Sequence, residues 1–188
     1  MAGRVLGKHF TDVVGLLLAH SDADPRFIAA HRAALDAIEP ESERSWEQFA
    51  AEVSQVASTV RKPKLVELGA QIVAASKAEF ERWGFDTAEK ILADWDAPFG
   101  ASIIDAPEEQ SVHTLKYTPG HAFLRASAVL PAGLIEGYIR GVVAMFGAEL
   151  TELACHEVAI DGQPCHLFEL RYGSLGPRAR NERPDAPG

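Results

Sequence analysis

Apolar residues recur at helical spacing from residue 8 to residue 96. From Ser111 that spacing gives way to short β-prone runs interrupted by a single helix. This order confines the chain to an α+β fold, with helices first and then strand–strand–helix–strand–strand. A doubly wound sheet would need helices between successive strands, and only one interrupts these. In the first half, Asp24-Pro25 reads as an N-cap followed by proline at the first helical position, and Phe27, Ile28, His31, Leu35 and Ile38 form one stripe. Ser45 with Gln48 reads as a capping box ahead of Trp46, Phe49, Val53, Val56 and Val60, and Lys62-Pro63 is expected to end that helix. Leu65, Leu68, Ile72, Ser76, Phe80 and Trp83 carry one period as far as Gly84, a C′ glycine. Asp86 with Glu89 is expected to cap a short helix that buries Ile91, Leu92 and Trp95, stopped by Pro98 and Gly100.

In the second half, 112–117 and 121–127 read as a hairpin around Thr118-Pro119-Gly120. Pro131 opens a helix running to about Phe146 and closed by Gly147; strands at 150–160 and 165–172 follow around Asp161-Gly162. One domain is expected over 1–172, helical over 1–105 and sheet over 106–172. Residues 173–188, rich in Gly, Pro and Arg and without apolar period, read as a disordered tail.

The 131–146 helix is apolar on most faces, with Glu136 and Arg140 its only charges, so it should be buried on most faces. Gly133, Gly137 and Gly141, spaced four apart, make a smooth ridge that a second backbone can approach closely. In lipid that spacing would suggest helix dimerisation, but the segment is too short to span. Packing between the sheet and the helical layer is the expected arrangement.

Composition narrows the function classes. The formal net charge is −9 over 188 residues. Setting aside the tail's three arginines and two acids leaves 1–172 at −10. An acidic surface repels phosphate backbones, so nucleic acid is not an expected partner. No apolar run approaches the ~18 residues of a membrane span, so no membrane partner is expected either. The apolar run Val13 to Leu18, flanked by Asp12 and His20, is too short for a signal peptide, and two cysteines make no disulfide scaffold. A reduced, cytoplasmic protein is expected. No Walker loop, G-x-G-x-x-G, H-E-x-x-H or G-x-S-x-G occurs.

The run Leu130-Pro131-Ala132-Gly133-Leu134-Ile135-Glu136-Gly137-Tyr138, with Cys155 and Cys165 around Asp161-Gly162, resembles a superfamily. It is the one that holds the heme nitric-oxide-binding (H-NOX) domain and the small-molecule-binding 4-vinyl-reductase domain. The resemblance covers about 45–172 and implies helices first, then hairpin–helix–hairpin, with a glycine-bearing helix across the sheet. It is nearest to heme-less bacterial relatives, because two heme features are missing. The H-NOX Tyr-x-Ser-x-Arg that holds the propionates is replaced by Phe123-Leu124-Arg125-Ala126-Ser127, and residues 32–112 contain no histidine to serve as the proximal ligand. Heme is therefore not an expected cofactor. His31, alone on its stripe with Phe27 and Leu35, reads as a packed or surface residue rather than a ligand.

These readings favour a small-molecule-binding sensor or regulatory module, not an enzyme, with an apolar pocket between the helical layer and the 131–146 helix. Phe80, Trp83, Trp95, Phe123, Tyr138, Val142 and Met145 are the candidate lining residues for a small hydrophobic ligand. A signalling protein would be its output partner. A dimerisation or scaffold protein is the alternative, with the glycine helix and three tryptophans at a homodimer interface. Proton transfer by His113, Glu157 and His166 ranks last, since nothing in the sequence brings them together. A third alternative is a metal- or redox-responsive hairpin in which Cys155, His156, Cys165 and His166 supply zinc-type ligands. Strand alternation allows only two ligands per face. An odd loop pairs Cys155 with Cys165 and His156 with His166; an even loop pairs Cys155 with His166 and His156 with Cys165. Glu157, His113, His121 or a second chain would have to complete the site. Without metal, the expectation is two buried thiols beside exposed histidines.

Overall fold

The computed structural model describes residues 3–105 and 112–174. Seven helices make the N-terminal part: α1 (Gly7–Leu18), α2 (Pro25–Asp36), α3 (Trp46–Ala57), α4 (Lys62–Ala75), α5 (Lys77–Arg82), α6 (Ala88–Ala93) and α7 (Asp96–Ser102). They are stitched together by three short antiparallel strands, β1 (Arg4–Leu6), β2 (Glu43–Ser45) and β3 (Ile103–Ile104), in the order β2-β1-β3. The second part holds β4 (Val112–Thr118), β5 (His121–Ser127), α8 (Ala132–Met145), β6 (Ala148–Ile160) and β7 (Gln163–Ser174). Its four strands form an antiparallel sheet in the order β4-β5-β7-β6. The architecture is α+β, as the order of spacings requires. No described helix is long and apolar enough to cross a membrane.

Several local expectations are corrected. Pro63 does not end α3, which stops at Ala57; it sits in the first turn of α4, where its missing N–H is one that no helical carbonyl would have accepted. The period from Leu65 to Trp83 breaks at Ser76, which caps α4 and precedes the separate α5. The N-cap of α6 is Thr87 rather than Asp86: the Lys90 N–H donates to Thr87 Oγ1 at 3.2 Å, while Asp86 pairs with the Lys90 ammonium at 2.7 Å. The tail cannot begin at 173, because β7 runs through Ser174; residues 175–188 lie outside the described residues. Asp24 caps α2 as expected, accepting from the N–H groups of Arg26 and Phe27.

The α8 helix is sandwiched. Leu134, Ile135, Ile139, Val142 and Val143 are all but fully buried, in one continuous core with Ala122, Leu124, Phe168 and Leu170 of the sheet. The glycine ridge packs against α4. A Cβ on Gly137 would stand 2.3 Å from the Val66 carbonyl oxygen and 2.8 Å from the Gly69 Cα, so the two backbones touch where both residues lack side chains. The ridge is therefore spent within the chain.

The β6–β7 turn is the two-residue Asp161-Gly162, with φ of 51° and 77°, and Ile160 faces Gln163. Two successive positive φ values make the tight turn whose twist suits a hairpin. An even loop decides the register: Cys155 lies opposite Phe168, His156 opposite Leu167, Glu157 opposite His166 and Val158 opposite Cys165.

Candidate functional site

The N-terminus of α1 is tied down by a neighbouring loop. The Gly7 N–H donates to the Ser42 carbonyl at 2.7 Å and the Lys8 N–H to that of Pro40 at 2.9 Å, which partners donors the helix itself leaves open. That anchoring aims His9 and Val13 inward. Trp46, opening α3 behind the Ser45 cap, lies 5.7 Å from Phe99 in an edge-to-face contact and 5.4 Å from Phe49. Trp95 is held by its N–H, which donates to Thr114 Oγ1 at 3.1 Å; the same hydroxyl donates to the Leu92 carbonyl at 3.0 Å. One sheet threonine thus fixes the α6–α7 corner.

These groups enclose a cavity of about 140 Å³ between the helical layer and α8. Val5 and Ile103, cross-strand partners in the small sheet, form part of its wall, with Val13, Phe49, Ile72, Val73 and Phe99. Tyr138 and Val142 of α8 close the opposite side. Phe80 and Trp83, in edge-to-face contact at 6.0 Å, lie at the mouth, where Trp83 is 37% exposed.

The polar groups of the wall are few. Burial pushes the His9 imidazole below its usual pKa, helped by the neighbouring Lys8 charge and opposed by Glu79 and Asp12. Burial pushes the Tyr138 phenol far above its usual range, so it stays protonated. Glu79 sits 3.9 Å from the Lys8 ammonium. Trp46 Nε1 is buried and has no hydrogen-bond partner. Among the described residues no lysine or arginine lines the cavity, and His9 is the one histidine that does.

Of the expected lining, Phe80, Trp83, Trp95, Tyr138 and Val142 lie on this cavity, and two residues do not. Phe123 falls on the other face of the sheet, because alternation along β5 turns Ala122, Leu124 and Ala126 to the core; its ring instead meets His121 at 4.8 Å. Met145 packs on the core outside the lining. His9, Ser76, Glu79 and Val5 were not anticipated. For His9 and Val5 the sequence offers no signal, since both act through the small sheet and the loop behind it.

The hairpin ligands are split by the even register. Cys155 and His166 share the core-facing side and His156 and Cys165 the other. Contrary to the expectation of buried thiols, Cys155 is exposed and only Cys165 is buried; His156 is exposed and His166 buried. Among the described residues no three His, Cys, Asp or Glu groups gather as metal ligands. Glu157 faces His166, but His113 lies on the opposite face two strands away and pairs with Asp96. His31 is satisfied by Glu52 and its ring lies tilted against Phe27, with centroids 4.1 Å apart.

No protein-family model matches the chain, and no curated protein sequence does. Solved structures do. A mutant of the T. tengcongensis H-NOX protein superposes with a TM-score of 0.60 at 14% identity, covering 90% of this chain and 98% of that one. The chain has the H-NOX fold. The K. algicida H-NOX protein, in its unliganded Fe(II) form, gives 0.55 at 10% identity over 91% and 98%. An oxygen-binding H-NOX domain related to soluble guanylate cyclases, in its oxygen complex, gives 0.53 at 12% over 89% and 91%. At these identities the likeness is one of fold, and it spans nearly the whole of each domain.

Proposed function

We propose that the chain is a small-molecule-binding sensor or regulatory module that takes an apolar ligand in the cavity under α8 and uses no heme. The observation that carries this reading is an aromatic-lined cavity at the junction of the two halves of an H-NOX fold. Heme does not fit the cavity. About 140 Å³ is close to the ~150 Å³ known to hold one benzene ring, whereas heme is a macrocycle of four pyrroles. Two propionates would need cations, and the described wall offers no lysine or arginine, placing Glu79 at its edge instead. His9 comes from α1 rather than from a helix next to the sheet. The reading assigns the chain no catalytic step.

Toluene tests the reading. It should raise the thermal midpoint of the wild-type chain and leave that of Val142→Phe, whose added ring fills the space, where it was. Equal responses of the two proteins would show that toluene binds elsewhere and would sink the proposal.

A further inference from the structure

We infer that the ligand is an uncharged molecule, about one aromatic ring in size, carrying a hydrogen-bond acceptor to which the Tyr138 hydroxyl donates. The inference rests on the cavity reading and specifies its ligand. Size follows from the ~140 Å³ space, and apolar character from walls such as Val13, Ile72, Phe80 and Val142. The acceptor follows from unmet donors. The Tyr138 hydroxyl has no hydrogen-bond partner among the described residues and keeps accessible surface on the cavity, and the Trp46 Nε1–H is buried without a partner. Of the two, only Trp46 Nε1 is a buried exception of the kind that asks for an explanation; the Tyr138 hydroxyl is an accessible donor that the chain leaves available to an occupant of the cavity.

An indole N–H can only donate, and a protonated phenol donates as well, so an acceptor on the guest would suit either group. Between the two, Trp46 is fully buried against Phe49 and Phe99, whereas Tyr138 is only half-buried and keeps accessible surface. Tyr138 is therefore the group within reach of a guest. Charge decides the rest. Among the described lining residues Glu79 is the only carboxylate, it is already engaged with Lys8, and no lysine or arginine is present to receive an anion.

All three tryptophans of the chain line the cavity, so intrinsic fluorescence reports its occupancy directly. Three probes of matched heavy-atom count separate the possibilities: acetophenone (a neutral acceptor), isopropylbenzene (no acceptor) and benzoate (an anion). Acetophenone should bind the full-length chain about tenfold more tightly than isopropylbenzene, with benzoate the weakest. In Tyr138→Phe the acetophenone preference should vanish while isopropylbenzene affinity stays put. Equal wild-type affinities for acetophenone and isopropylbenzene would overturn the acceptor and leave the cavity reading standing. Benzoate binding as tightly as acetophenone would overturn the uncharged class. A preference that survives in Tyr138→Phe would remove Tyr138 as donor. No response to any of the three would overturn this inference and the cavity reading together. The wild-type comparison needs no variant, so it decides the ligand class even if Tyr138→Phe does not fold.

Discussion

At the scale of single residues, burial separates side chains that composition treats alike. Cys155 and Cys165 flank one turn, yet Cys155 is exposed and Cys165 lies 3.5 Å from the Gln163 carbonyl in a buried position. Desolvation raises the Cys155 pKa, opposed by the Lys62 charge and reinforced by Glu136 and Glu157, so the protonated thiol is favoured. His9 shows the opposite shift. Its folded pKa is lowered, so over the window from that value up to about 6.5 the unfolded chain binds the extra proton and the folded chain does not. Stability from this residue is complete above that window and is lost as pH falls through it. The loss of urea midpoint between pH 7.5 and pH 5.5 should therefore be smaller in His9→Gln than in the wild type. An equal or larger loss in the variant would mean that His9 stays solvated and does not enter the cavity as folded.

Among the elements, the glycine ridge of α8 shows which part of a pattern is structural. Gly137 meets backbone atoms of α4 at 2.3 and 2.8 Å from a would-be Cβ, and backbone cannot swing aside. At Gly133 the same Cβ would find Leu65 Cβ at 3.4 Å, an ordinary contact. Gly137→Ala should therefore cost about 1–3 kcal/mol by overpacking. Gly133→Ala should be near neutral, offset by roughly 0.5–1 kcal/mol of better helix propensity. Chemical denaturation of both variants checks the contrast, and equal costs would contradict the α4–α8 contact. The ridge was legible because spacing four on an apolar helix has few uses. The small sheet was not: its strands are three, three and two residues long, too short for any period to show. The hairpin's ligand geometry was open for a different reason. Whether Cys155 shares a face with Cys165 or with His166 turns on one residue of loop length, and only the register settled it. Phe123 was assigned to the cavity from its aromatic character, although alternation along β5 sends it the other way.

The whole molecule joins a helical layer and a four-stranded sheet through α8, and aromatic side chains of the helical layer fill much of the junction. Phe80 and Trp83 of α5 and its C-cap, Trp95 and Phe99 of the α6–α7 corner and Trp46 of α3 converge from three segments of the chain, and the small sheet brings Val5 against Ile103 beneath them. What remains is about 140 Å³. To admit a four-pyrrole macrocycle, α8 would have to part from the helical layer, and the Gly69–Gly137 backbone contact stands against that movement. On the proposed reading both heme ends would also lack partners, since among the described residues the wall supplies no lysine or arginine for propionates and only His9, from α1, for the iron. The chain should accordingly purify colourless, and hemin added to it in equimolar amount should give the broad absorbance of loosely associated porphyrin. An intense, sharp Soret band with near-stoichiometric heme after gel filtration would show that the junction opens, and the cavity would then be the closed state of a larger pocket. The same titration run on Gly137→Ala, where α4 and α8 are forced apart, separates the two causes. If packing alone excludes heme, the loosened variant should take up more of it; if the missing cations and proximal imidazole also exclude it, uptake should stay negligible in both proteins.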